Sequence, residues 1–429
     1  MSRLLHTLTA VEAVARISDG SITCEALVRS CLERIEEREA DVGAWTYLDR
    51  DGAVAAARTL DRGTGAGLMR GVPVGIKDIV ETADMPTGFG SLIYHSYRPP
   101  ADAVCVSQTR AAGAIILGKT VSTEFAFRKA GKTSNPHNRC YSPGGSSSGS
   151  AAAVADCMVP LAIATQTGGS VIRPASYCGV YGLKPTFNFF SLSGVRHLAE
   201  TFDTLGCMAR TLDDIALYRA ALLGIRFQPI SSDQCPPRLG FCRTPFWDEA
   251  QPAMRKMIED SVERLSQRGA KVIDFTVAGD AKLLLDAIWT INKFEAARLF
   301  AYDRTHNPES VSSAVHAIVA EGSQISLETY IAARRRIEHM RARLDTDLEG
   351  IDALVTPSSP GEPPLGLADT GPITFNVLWT AGYTPALTVP VGNGPNGLPL
   401  GLQLVARQYE DERLLEVGRW VERALDLPC

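Results

Sequence analysis

Lys77, Ser146 and Ser170 stand where an amine and two hydroxyls could do nucleophilic chemistry without histidine, metal or cofactor. Ser146 lies in Gly144-Gly145-Ser146-Ser147-Ser148-Gly149-Ser150, and Ser170 closes Thr167-Gly168-Gly169-Ser170. Both loops follow Gly75-Ile76-Lys77-Asp78. A serine hydroxyl attacks poorly until a base takes its proton. Lysine is a base only when neutral, which near pH 7 costs roughly 4–5 kcal/mol unless burial lowers its pKa. Glycines beside a serine let backbone N–H groups come close to a reacting atom, so Thr167, Gly168 and Gly169 could form an oxyanion pocket around Ser170. Other readings stay open. Lys77 could sit on a surface turn paired to Asp78, and the second loop could bind a phosphate or be a turn with no ligand. A phosphate loop would carry a lysine directly after its glycines, and none follows either loop.

The elements that must position these residues read as alternating helices and strands. Thr23 is a helix N-cap, after which Leu27, Val28, Cys31, Leu32 and Ile35 share one face. The apolar runs Val72–Ile76 and Ala114–Leu117 read as buried strands joined by a crossover helix over Val104–Ala112. Lys77 would then leave its strand inside the body, where desolvation penalises an ammonium. Alanine-rich Ser150–Ala155 suits a closely packed helix, and Val159–Ala164 a strand that delivers the second loop into a tight turn. Further on, Arg238–Cys242 and Lys271–Phe275 read as strands. Between them Pro252 opens a helix with Met257, Ile258, Val262 and Leu265 inward, and Gly269 closes it. Residues 323–349 predict a charged helical outer layer, and Ile351–Val355 and Ala386–Val391 two more strands.

With 429 residues, 45% hydrophobic and 21% charged, the chain has the composition of a globular α/β protein. Its net charge of -5 gives no reason to expect nucleic acid or an anionic membrane as partner. Glu12 and Arg16 interrupt the start before a signal-peptide core develops, and no apolar run approaches the roughly 20 residues of a membrane span. The ten cysteines form no C-x-x-C pair; Cys24, Cys31, Cys157 and Cys178 read as buried thiols, which points to a reduced, cytoplasmic setting. No composition break divides the chain, so one integrated domain over 1–429 is expected: a catalytic core of about 65–215, a pocket-shaping region of about 230–350 and returning strands over 351–429.

Gly75-Ile76-Lys77-Asp78, Pro143-Gly144-Gly145-Ser146-Ser147 and Gly168-Gly169-Ser170 with Arg173-Pro174 resemble the amidase signature family in order and spacing. Asp203-Thr204-Leu205-Gly206 with Arg210 and Asp213, and Gly397-Leu398-Pro399-Leu400-Gly401-Leu402-Gln403, extend the resemblance over nearly the whole chain; only about 230–350 lacks a pattern. The resemblance implies a mixed, twisted sheet covered by helices on both faces. It makes Ser170 the nucleophile, Lys77 the general base and Ser146, on a cis peptide bond, the proton relay. Thr167, Gly168, Gly169 and Ser170 would hold the oxyanion. The reaction implied is amide hydrolysis through an acyl-enzyme: ammonia or an amine leaves, protonated by the relay, and water releases the acid. No cofactor or metal is called for.

Three departures from the common pattern bear on substrate. Gln166 stands where many members have Asp, Ser148 where many have Gly, and Arg173 lies three residues after the nucleophile rather than two. Together they resemble the malonamidase-like branch, in which the arginine matching Arg173 is associated with the substrate's carboxylate, a group that a guanidinium holds well. The other reading has Arg173 tying down its own loop. Ser147 and Gln166 join it as candidate substrate contacts. Arg128 is assigned a surface role, Asn376 and Trp379 packing roles, and His137 is set aside as base because Lys77 fills that part. The expected partner is a small-molecule amide; a homodimer is allowed but no residue specifies one. Two rivals remain: a glutaminase-type subunit of a tRNA-dependent amidotransferase, and a non-catalytic anion-binding protein.

Overall fold

A computed structural model describes residues 4–63, 67–231 and 235–427. Eleven strands form one sheet: β1 Trp45–Leu48, β2 Pro73–Lys77, β3 Ile115–Thr120, β4 Leu161–Gln166, β5 Tyr181–Lys184, β6 Thr204–Ala209, β7 Arg238–Cys242, β8 Lys271–Phe275, β9 Ala353–Pro357, β10 Ala386–Asn393 and β11 Pro399–Val405. Their spatial order is β1-β3-β2-β4-β6-β5-β10-β11-β9-β7-β8. Parallel pairing of β3, β2 and β4 at one side, and of β9, β7 and β8 at the other, brackets an antiparallel middle. The sheet therefore runs unbroken through both halves of the chain, as the mixed α/β reading expects.

Alternation along β10 shows how the sheet is covered. Leu387 packs against Gly418 of the Asp411–Ala424 helix, while its neighbour Thr388 donates to the carbonyl of Ile172 in the Ile172–Cys178 helix. Successive strand residues point to opposite faces, so helices lie on both sides. Every residue of β2, β3, β4, β6, β9 and β11 is buried, whereas the edge strand β8 is partly open to solvent.

Arg238–Cys242 and Lys271–Phe275 match their expected bounds, and the others shift by a few residues. Thr23 caps the Cys24–Val42 helix by accepting from the N–H of Ala26. In the Pro252–Gln267 helix Ile258 and Leu265 are buried as expected, but Met254 and Ser261 complete the inner face while Met257 and Val262 are only half-buried. The outer layer expected over 323–349 is the Leu327–Asp347 helix, which buries a stripe of Ala333, Ile337, Met340 and Leu344; the Ser313–Ser323 helix precedes it. Cys24, Cys31 and Cys178 are buried, and Cys157 is only partly so. Among the described residues no helix is long and apolar enough to cross a membrane.

Candidate active site

Lys77 ends β2, and β4 runs parallel beside it. With strand neighbours on both sides, the lysine side chain is wholly buried. Its Nζ lies 2.7 Å from Ser146 Oγ and 2.7 Å from Thr165 Oγ1, and donates to the Thr165 carbonyl at 3.4 Å. The surface-turn alternative is thereby corrected, because Asp78 turns away. It accepts from the N–H of Gly88 and faces Lys119 at 3.7 Å. Burial holds the Lys77 amine well below the ordinary lysine range, opposed only in part by the charge of Asp203.

The two glycine loops lead into the helices Ser148–Ala155 and Ile172–Cys178, which pack against the sheet. The Gly145–Ser146 peptide is cis. Gly149 must be glycine, since a Cβ there would fall 2.3 Å from both the Ala44 carbonyl oxygen and the Val121 nitrogen. Ser146 and Ser170 open on one cavity of about 540 Å³. Ser170 Oγ makes no hydrogen bond to Ser146 or to any other described residue. Among the described residues no backbone carbonyl accepts the N–H of Thr167, Gly168, Gly169 or Ser170.

Gln166 explains why the loop curls this way. Its Oε1 accepts from the N–H groups of Val171 at 2.8 Å and Ile172 at 3.0 Å. Its Nε2 donates to Thr380 Oγ1 at 2.9 Å, and that hydroxyl in turn donates to the Gly168 carbonyl at 2.9 Å. Thr167 donates its hydroxyl to Asp203, which also accepts from the N–H groups of Leu198 and Ala199 and from the His197 ring. The bond to Asp203 raises the pKa of His197. Two expected substrate contacts are corrected here. Gln166 is buried under the turn with both polar atoms of its amide hydrogen-bonded inside the protein. Ser147 is buried as well, donating to the Thr165 carbonyl and accepting from the Thr165 N–H.

Arg173 does face the cavity. It is 2% exposed, and one nitrogen, Nη2, donates to the Gly145 carbonyl and to Thr370 Oγ1. Nε and Nη1 have no partner, and no carboxylate pairs with the group among the described residues. Burial lowers its pKa to about 10. Arg128 is exposed as expected but lines the cavity rim, its guanidinium 5.3 Å from the Trp289 ring centre. Asn376 and Trp379 are buried behind the loop, and Asn376 packs so closely on Gly169 that a Cβ there would lie 2.4 Å from Asn376 Oδ1. His137 binds the Cys178 carbonyl at 2.9 Å.

The sequence reading missed Thr165 and Thr380. Each is a polar residue at the end of an apolar run, and that is the only signal either gave. The pocket-shaping region expected over about 230–350 contributes Leu285, Trp289, Asn292 and Ile318 to the cavity, none of which the sequence singled out.

The amidase family profile matches residues 26–415. A glutamyl-tRNA(Gln) amidotransferase subunit from Acidothermus cellulolyticus is 34% identical, over 99% of this chain and 95% of that protein. Its counterpart in Chloroflexus aggregans is 32% identical, over 98% and 97%. A crystal structure of an amidase superposes with a TM-score of 0.88 at 28% identity, covering 97% of this chain and 99% of that one. The peptide amidase of Stenotrophomonas maltophilia gives 0.83 at 27%, covering 99% and 98%. With a buried lysine against a loop serine, a second serine on the same cavity and these relatives over its full length, the chain belongs to the amidase family and is an amide-hydrolysing enzyme.

Proposed function

We propose that the chain hydrolyses a small carboxylate-bearing amide through an acyl-enzyme on Ser170, with Lys77 as base and Ser146 as relay. One observation carries this reading: a wholly buried lysine, unpaired with any carboxylate, 2.7 Å from a serine that shares its cavity with a second serine. Ser170 Oγ attacks the carbonyl carbon as its proton passes to Ser146, whose own proton moves to Lys77. Ser170 Oγ closes the last link by rotating toward Ser146 as substrate enters, since catalytic hydrogen bonds tighten in the substrate complex. The N–H groups of Thr167, Gly168, Gly169 and Ser170 receive the oxyanion. The proton returns through Ser146 to the departing nitrogen as the C–N bond breaks. Water then attacks the acyl group by the same route and frees the acid.

Arg173 carries the substrate preference. A buried guanidinium with two unpartnered nitrogens and no carboxylate in contact, though the charge of Asp369 reaches it, suits a bidentate carboxylate, as in a malonamate-like substrate. Labelling with a fluorophosphonate tests the nucleophile: wild type takes the label and Ser170→Ala does not. Labelling that survives in Ser170→Ala sinks the reading. Arg173→Ala should lower kcat/KM roughly ten- to a hundredfold on malonamate and far less on butanamide, given the roughly 1.5–3 kcal/mol of a charged hydrogen bond. Equal losses on both would make Arg173 structural.

The names of the curated relatives favour a second reading, a glutaminase-type subunit of a tRNA-dependent amidotransferase. Ammonia release from glutamine that depends on copurifying subunits, with no turnover of small amides by the chain alone, would put that reading first.

A further inference from the structure

One wall of the catalytic cavity comes from the Ala281–Leu299 helix, on which Leu285, Trp289 and Asn292 recur at helical spacing and face the cavity together. Ile318 of the neighbouring Ser313–Ser323 helix joins them. Asn292 is 5% exposed, yet its Oδ1 has no hydrogen-bond partner. A buried amide left open in this way costs stability unless something completes it. The exposed Arg128 guanidinium lies 5.3 Å from the Trp289 ring centre at the rim. A volume of about 540 Å³ falls in the range that holds drug-sized ligands, far more than a primary amide of a three-carbon acid fills.

We propose that Trp289 and Asn292 are specificity-determining residues that select secondary amides whose leaving amine carries an apolar ring and a hydrogen-bonding group. This rests on the reading above, in which the acyl part is short and its carboxylate meets Arg173. The space beside the helix then belongs to the amine: the ring lies against Trp289, Leu285 and Ile318, and the polar group completes Asn292.

The test uses the full chain and three leaving amines, each offered as a malonyl and as a butanoyl amide: ammonia, 2-phenylethylamine and phenylalaninol. In the malonyl series kcat/KM should rise about tenfold from ammonia to phenylethylamine and again to phenylalaninol. Trp289→Ala should erase the first step and Asn292→Leu the second, mostly through KM. The milder Trp289→Phe and Asn292→Ser keep the comparison informative where a larger change does not fold. A flat or falling series in wild type overturns the proposal, as do steps that persist in the folded variants. The malonyl-over-butanoyl ratio reports separately on Arg173. Loss of that ratio with the amine steps intact removes the carboxylate reading and leaves the helix wall selecting the amine.

Discussion

Lys77 and Lys119 sit on adjacent strands, β2 and β3, and both are fully buried. Their surroundings differ in one respect. Lys119 donates to the Val80 carbonyl at 2.6 Å and to Thr87 Oγ1 at 2.7 Å, with Asp78 at 3.7 Å. Burial lowers its pKa to about 8, and Asp78 resists that fall. Lys77 has hydroxyls and one carbonyl around it and no carboxylate in contact, and burial holds its pKa well below the ordinary lysine value. The same residue type at the same depth thus has a carboxylate beside it in one place and only hydroxyls and a carbonyl in the other. What differs is whether a counter-charge shares the burial.

Lys77→Met puts this contrast under the greatest load. Turnover should fall by at least about a thousandfold, within the range of general-base loss. At the same time the protein should gain roughly 1–3 kcal/mol of stability, because the unfolded lysine is protonated where the folded one is penalised for it. The folded pKa is depressed, so this gain should shrink as pH rises toward about 10.4, where the amine is neutral in both states. Denaturant melts at several pH values check it, and a Lys77→Met protein less stable than wild type at pH 7 would refute it.

Lys119→Met should do the reverse. It leaves Asp78 buried without its partner and the Thr82 and Thr87 hydroxyls without their donor, so about 3–5 kcal/mol of stability should go. Folded molecules should keep their fluorophosphonate labelling per active site.

The pH profile is a subtler test. Log kcat/KM should fall with a slope of one as pH drops through the folded pKa of Lys77, with a midpoint well below 10.5. A limb centred near the ordinary lysine value would mean that the amine is not desolvated in solution.

Thr165→Val should have the smallest effect. Its hydroxyl accepts from the amine and so favours the protonated form. Removing it should slow turnover less than about tenfold and move the acid limb to lower pH.

How far these features could be read from residues alone varied along the chain. β7 and β8 match residue for residue, the first opening just after Pro236-Pro237 and the second just after Gly269. β1, β5 and β6 gave no such signal: β5 is four residues ending in Lys184, and β6 interrupts its apolar run with Gly206 and small side chains. Lys77, Ser146, Ser170 and Arg173 stood out because glycine loops and strand ends announce where a backbone approaches closely. Ser147 and Gln166 stood beside them equally well placed in sequence, yet their polar groups are used up inside the protein. Adjacency along the chain does not say which way a side chain turns.

Sequence alone settled which groups exist and in what order: an amine at a strand end, two serines in glycine loops and an arginine just beyond. Only the folded structure decided that Asp78 turns toward Lys119 and leaves Lys77 with no carboxylate in contact, and that a helix more than a hundred residues after Ser170 walls its cavity. The reason is physical. Burial and counter-charge are properties of neighbours brought together across the sheet, and those neighbours are distant in the chain.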